Sequence, residues 1–501
     1  MSNNPKPTVA IIGGGFSGIY SAIKVQKELG IVPHIFEGSK DFGGTWHLNT
    51  YPGCACDVPS HLYSLSTDLN PNWSKKYSPQ GEIHEYMRGL ADKYNLRDHA
   101  TMNCEVVKAT WLDAERKWKL DYRDRRAPEN QELQTVYYDI TFVAIGSIRV
   151  PKIPDQFKDF DGTIVHTAMW DSSVDFTGKK VAVIGSGASA VQVVPELSKI
   201  AGKLHNYQRS AIWCRPREQF SYSSIMKFLF RWFPILMRIH RLSIFIRGEI
   251  GYVIFGYFKS KIAQLQRRSL EKGMTDRILK QGRPDLVEKL IPDYAPGCKR
   301  IAVTDDYLEA LCRDNVVVER SRITEVRGRT ITTQDGNEEE YDVLVLATGY
   351  DVQGFLGNLT VQGKHKQTLN DMWEDSFPEM YKTTCINGYP NMFIILGPSS
   401  ILGHNSVLVM TETQVNYIVQ GLKMMIKQKL VAFDPMKKAQ DKFVAKLKAD
   451  LDTTVWKRGG CNSWYVNKEG DVTANWSSTV TRFWLTLRKF KNFDDFNIYK
   501  E

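Results

Sequence analysis

The 501-residue chain has no low-complexity tract, no cysteine–histidine cluster at zinc-ligand spacing and no recognisable nucleic-acid-binding motif. Each absence excludes a class. With 42% hydrophobic and 24% charged residues the composition is that of a globular protein, and the length suits two or three domains. The eight cysteines contain no CxxC or CxxxxC pair. A flavin-linked disulfide reductase, which needs such a pair, is therefore disfavoured. Cys54-Ala-Cys56 is the closest pair, and its spacing reads as two small residues in a packed loop. No secretory signal precedes the first apolar strand, so free thiols in a reducing, cytoplasmic setting are expected. A long uncharged run is missing too. The most apolar stretch, Met226 to Phe258, is broken by Arg231, Arg238, Arg241 and Arg247, whereas a spanning helix needs about 20 nearly uncharged residues. The net charge of +10 suits anionic partners such as dinucleotide phosphates or anionic lipid. With no supporting motif, nucleic acid is set aside.

What is present is an internal repeat. Val9-Ala-Ile-Ile-Gly13-Gly-Gly15-Phe16-Ser17-Gly18 and Val181-Ala-Val-Ile-Gly185-Ser-Gly187-Ala188-Ser189-Ala190 are both apolar strands entering G-x-G-x-x-[G/A] and then a helical pattern. Each is closed by a matching strand, Tyr138 to Gly146 and Tyr341 to Gly349, the second ending Ala347-Thr348-Gly349. A tight glycine turn lets backbone N–H groups and a helix N-terminus meet a pyrophosphate. Two such units in strand–turn–helix context predict two dinucleotides. In the first, Glu37 lies nineteen residues past Gly18, where a carboxylate accepts hydrogen bonds from a free ribose. This suits FAD. In the second, Gln208 and Arg209 stand at the corresponding place, and a guanidinium there favours the extra phosphate of NADPH over NADH.

The expected fold is α/β, with two Rossmann-like domains and the NADP domain inserted in the FAD domain. Residues 1–149 and 350–501 would form the FAD domain and 150–349 the NADP domain, with breaks at Gly146 and Pro151-Lys-Ile-Pro154. A helical insertion at 215–296 interrupts the second unit. Lys227, Arg231, Arg238 and Arg241 recur at helical spacing as a basic stripe beside apolar surface. The insertion reads as a subdomain packed on the core, as an apolar route for substrate, or as a patch making weak contact with anionic membrane.

Two long strings carry more specific information. The first is Gly43-Gly44-Thr45-Trp46-His-Leu-Asn-Thr-Tyr51-Pro52-Gly53-Cys-Ala-Cys-Asp57, a glycine turn, an aromatic and a rigid bend delivering one carboxylate. The second is Phe160-Asp-Gly162-Thr-Ile-Val-His166-Thr167-Ala-Met-Trp170-Asp171. Both fit, at every fixed position, the long fingerprints of the type I Baeyer–Villiger monooxygenases, class B flavoprotein monooxygenases that use NADPH and O₂. The chain resembles that family from about residue 8 to residue 465.

The resemblance implies a function: insertion of one oxygen atom beside the carbonyl of a hydrophobic ketone, giving an ester or lactone through a C4a-peroxyflavin. It assigns Arg300, in Gly297-Cys298-Lys299-Arg300, to stabilising the anionic species at the flavin, and Asp57 to holding that arginine. Gly44, Thr45, Trp46 and Tyr63 would line the flavin, Lys299 would meet the NADPH 2′-phosphate, and Thr348 and Gly349 would close the second unit. Phe160, Gly162, His166, Thr167 and Trp170 would coordinate domain motion. Trp464, in Cys461-Asn-Ser463-Trp464-Tyr465, resembles the Trp of a mobile segment over NADP and substrate, with plain aromatic packing as the alternative. Gly397-Pro398-Ser399 and His404-Asn405-Ser406 would run along the flavin, with His404 structural. No metal is expected. A flavin-containing N- or S-monooxygenase shares this architecture, but Thr167 with Trp170-Asp171 argues against it.

Overall fold

In the computed structural model, residues 6–128, 131–256 and 260–500 are described; Phe258, at the end of the apolar run, lies outside them. The strands Val9–Ile12 and Lys180–Ile184 sit at or beside the middle of two separate five-stranded parallel sheets. The first sheet runs in the order Met392–Ile394, Ile140–Val143, Val9–Ile12, His34–Phe36, Ala100–Thr101. All four residues of Val9–Ile12 are buried, as expected of a parallel strand covered on both faces. The second runs Val316–Glu319, Lys203–Tyr207, Lys180–Ile184, Val343–Leu346, Thr163–His166. The fold is thus two Rossmann-like units. Met392–Ile394, far along the chain, completes the first sheet beside Ile140–Val143, so the second unit is inserted within the first.

Each glycine loop leads into a helix, Phe16–Leu29 and Ala188–Leu197. The first helix stops at Gly30, whose φ of +60° lets its N–H reach the Gln26 carbonyl, a left-handed end that glycine adopts at least cost. The buried Val407–Lys427 helix packs against it.

Residues 150–349 leave and re-enter the first unit through neighbouring segments. Lys152 N–H donates to the Gly349 carbonyl at 2.9 Å, and Pro151 bridges to Tyr350.

The insertion is helical: Ser224–Trp232, Pro234–Phe255 and Lys261–Lys280. Ser223 and Ser260 cap two of these through their side chains, and Pro234 opens the third. No helix among the described residues is long and apolar enough to cross a membrane. The basic stripe needs correction at one position. Arg241 turns inward and donates to the carbonyls of His61, Leu62 and Ser64 at 2.8–3.0 Å, because those loop carbonyls have no strand partner and a guanidinium satisfies three at once.

The cysteine reading is corrected as well. Cys298 and Cys461, 163 residues apart, form a disulfide. The other six are free, Cys56 buried and Cys54 partly so. Folding brings the Lys299-Arg300 turn against the Trp464 segment, a proximity that cysteine spacing does not encode.

Candidate active site

The glycines of the two loops divide into two kinds. A Cβ on Gly13 would stand 2.5 Å from the Ala144 carbonyl oxygen, on Gly18 1.8 Å from that of Gly13, and on Gly185 2.4 Å from that of Ala347. Close backbone approach accounts for those three, and Gly13 and Gly185 also need φ of +109° and +123°. Gly15 and Gly187 are different. Around a Cβ at Gly187 no protein atom lies within 4 Å, and at Gly15 the nearest is Gly44 Cα at 3.7 Å. Their bareness serves no contact within the protein. It leaves a cradle at a helix N-terminus, the shape and polarity that a pyrophosphate needs. Both dinucleotides therefore fit the residues present.

Glu37 follows directly after the His34–Phe36 strand. It accepts from Gly14 N–H at 2.5 Å and Ser39 N–H at 2.7 Å. Burial raises its carboxyl, against the pull of those amides. In the second unit Gln208 is buried and donates to Asn206 and Tyr307, while its own Oε1 has no partner. Arg209 is exposed beside it. Lys299 donates to Ser210 Oγ at 2.7 Å; burial first and the Arg209 charge second lower its pKa. Two cations face each other at the end of that strand. This arrangement suits a phosphate, which relieves their repulsion.

Ala188 and Ser189 begin the second loop's helix, and the Tyr51-Pro52-Gly53 bend reaches across to it. Tyr51 Oη donates to Gln192 Oε1 at 2.8 Å, and Gln192 Nε2 donates to the Ala55 carbonyl at 2.8 Å. The bend, with Gly53 at φ +79°, then presents Asp57. From the other side Gly297, at φ +87°, turns the chain so that Arg300 meets Asp57. The guanidinium pairs through two nitrogens, Nε to one carboxylate oxygen and Nη2 to the other at 2.8 Å. Nη1 donates to the Leu402 carbonyl at 3.3 Å. Burial alone would raise the Asp57 carboxyl, but the Arg300 charge and hydrogen bonds outweigh it and hold it below its ordinary value. Arg300 is pushed upward by the same pair against the opposing effect of burial. Each side chain keeps 29% of its surface open. The result is a fixed cation, held in plane by a bidentate carboxylate, with part of its surface available.

Aromatics stand around it. Trp46, on the short helix starting at Thr45, donates Nε1 to Tyr63 Oη at 3.1 Å, and the Phe16 ring meets Tyr63 edge-on at 5.5 Å. Ser17 is buried, its Oγ 3.4 Å from Thr411 Oγ1. Tyr465 is a residue that attention to Trp464 passed over. It is buried, its hydroxyl has no hydrogen-bond partner, and it is near enough to Arg300 to feel its charge. Trp464 itself is 38% exposed and lies tilted against Tyr465, ring centroids 4.4 Å apart. His404 is buried against Tyr252 at 4.6 Å. Burial lowers its pKa, against the opposing pull of Glu249 at 3.6 Å.

The Phe160–Asp171 string lies elsewhere. His166 ends the edge strand of the second sheet. Its Nδ1 accepts from Ala168 N–H at 3.0 Å, and Nε2 lies 3.3 Å from Thr348 Oγ1. Thr167 N–H donates to Leu346 at 3.0 Å, and Trp170 stacks on Phe176 at 5.3 Å. A Cβ on Gly162 would strike the Phe160 ring at 2.5 Å. Through His166 the string therefore touches the place where residues 150–152 and 348–350 run side by side.

Residues 6–455 match the family described as flavin-binding monooxygenase-like. Baeyer–Villiger monooxygenases from Pseudomonas aeruginosa and Streptomyces coelicolor are both 34% identical to the chain, over 98% and 95% of it and 92% and 89% of their own lengths. Among solved structures, OTEMO in complex with FAD and NADP aligns at TM-score 0.85 and 26% identity, covering 99% of this chain and all of that one. Cyclohexanone monooxygenase from Rhodococcus sp. Phi1 bound to NADP+ aligns at TM-score 0.86 and 24% identity over the same shares, a likeness of fold. The chain belongs to the flavin-binding monooxygenase-like family, among its Baeyer–Villiger monooxygenases.

Proposed function

We propose that this protein uses NADPH and O₂ to place one oxygen atom beside the carbonyl of an apolar ketone, yielding an ester or lactone. The observation that carries the reading is the Asp57–Arg300 pair beside the first glycine loop and its aromatic wall. FAD would be held by the Gly13–Gly18 loop, Glu37, Gly44, Thr45, Trp46 and Tyr63. NADPH would be held by Gly185, Gly187, Ala188, Ser189, Gln208, Arg209, Lys299, Thr348 and Gly349. When bound, the flavin supplies hydride acceptance and oxygen activation; the protein supplies orientation and charge.

Arg300 supplies a permanent positive charge, since a guanidinium does not deprotonate. Preorganised in a partly dry site, it stabilises negative charge developing on oxygen, and mutation of one such donor typically costs about 10²–10³ in rate. Asp57 is a positioning residue: it fixes the guanidinium plane and lets Nη1 turn toward Leu402. Trp46 and Tyr63 exclude water. His166, Thr167 and Trp170 would tie cofactor-driven movement of the inserted domain to the crossing segments.

The test is rapid mixing of NADPH-reduced holoenzyme with O₂ and a panel of ketones and thioethers. Ester formation, lost in Arg300→Ala with FAD still bound, is expected. Hydrogen peroxide as the sole product, or oxidation of thioethers alone, refutes the reading.

A further inference from the structure

The Pro234–Phe255 helix is apolar on both sides, with Met237 and Tyr252 buried on the inner one. A helix on a globular core normally turns its apolar stripe inward. Here Ile235, Ile239, Leu242, Ile246, Ile250 and Val253 recur at steps of three and four on one face, and each is 46–62% exposed. The opposite face carries the buried Met237 and Tyr252 and Arg241, which is bound to loop carbonyls, while Glu249, at the edge of the stripe, accepts from Asn405 and from the Val480 and Thr481 amides. The preceding helix continues the outer surface with Ile225 and Trp232, 72% and 65% exposed, together with Phe228 and Phe233. Ten apolar side chains, each about half exposed or more, on two touching helices and the residue between them form one contiguous apolar surface, the kind that marks an interaction site.

The rim has one sign of charge. Lys227, Arg231, Arg238 and Arg247 flank this face, and no ion pair engages them among the described residues. The single acidic residue of Ser224–Phe255 is the inward Glu249. Two copies docking through this face would bring two basic rims together. An anionic bilayer satisfies both the apolar face and the rim, with Trp232 and Phe228 suited to the headgroup boundary.

We propose that this surface docks the protein, without spanning, on anionic lipid bilayers, the two helices lying in the plane of the interface. The inner side of the same helix abuts the candidate site: Tyr252 packs on His404 at 4.6 Å, and Phe255 lies 3.1 Å from where a Gly297 Cβ would stand. One helix thus separates lipid from the Arg300 turn, which places the route for an apolar ketone along it; this last clause rests on the proposed function.

The test is co-sedimentation of the FAD-loaded protein with vesicles of phosphatidylcholine, with and without phosphatidylglycerol, and light scattering without lipid. Binding to the anionic vesicles only, weakened by salt and reduced tenfold or more by Ile239→Asp with Ile246→Asp and by Arg238→Glu with Arg247→Glu, is expected. Flavin content and NADPH oxidation in solution should stay unchanged in those variants. No binding to anionic vesicles, equal binding by the variants, or a dimer that Ile239→Asp dissolves would overturn the proposal. Vesicle binding is read without any ketone, so failure of ketone oxygenation leaves it standing.

Discussion

Replacing Asp57 by alanine removes both carboxylate acceptors from Arg300 and leaves the guanidinium with the Leu402 carbonyl at 3.3 Å. Removing one partner of a fully buried pair costs about 3–5 kcal/mol, and an exposed pair is worth under about 1 kcal/mol. With 29% of each side chain open, the loss should fall between these limits, about 2 kcal/mol. Loss of positioning adds a kinetic effect of about 10²-fold in kcat/KM, the lower end for a displaced charge donor. Asp57→Asn, which keeps one acceptor but no charge, should fall between Asp57→Ala and wild type in both respects. The stability gap should also depend on pH. Asp57 is depressed in the folded protein, so its contribution is complete above the unfolded carboxyl value of about 3.9 and is lost as pH falls through the lower folded value. The wild-type and Asp57→Asn proteins should thus converge in acid. Thermal release of flavin across pH, with steady-state kinetics on the FAD-saturated enzyme, measures all three effects. A kcat/KM for Asp57→Ala within about threefold of wild type, against the 10²-fold expected, would refute the positioning role.

Other outcomes can be checked as directly. Arg209→Glu should raise KM for NADPH at least tenfold while leaving KM for NADH nearly unchanged, because it would repel a phosphate held between Arg209 and Lys299; equal effects on both nucleotides would remove the phosphate assignment. Gly187→Val fills a space in which no protein atom lies within 4 Å of a Cβ, so the variant should fold and keep its flavin yet lose NADPH affinity; a variant that binds NADPH normally shows that the cradle is not used. The denatured chain should titrate six thiols before reduction and eight after. Cys461→Ser should then lower stability by up to about 5 kcal/mol, the chain-entropy limit for a loop closed over 163 residues, and a melting temperature equal to wild type would count against the bond.

The two units were legible because their strands are short, apolar and bounded by glycines, and a buried parallel strand needs little else. Met392–Ile394 gave no such signal, since three residues of edge strand look like any apolar segment. Asp57 and Arg300 stand 243 residues apart, and only the family-like strings hinted at their meeting. Periodicity fixed which residues of Pro234–Phe255 share a face, but not which face turns inward, so Arg241 was grouped with the outer basic residues. The Tyr51–Gln192 bridge and the Cys298–Cys461 bond depend on how the two units dock, which local sequence does not record.

The inserted domain hangs from the rest of the chain by two adjacent segments, joined where Lys152 meets Gly349 and Pro151 meets Tyr350. Because both ends meet at one place, residues between them form a cassette, tied to the rest of the chain a second time by the Cys298–Cys461 disulfide. Exchanging that cassette between relatives would alter nucleotide preference and the helical insertion together, while the flavin sheet kept its strand order.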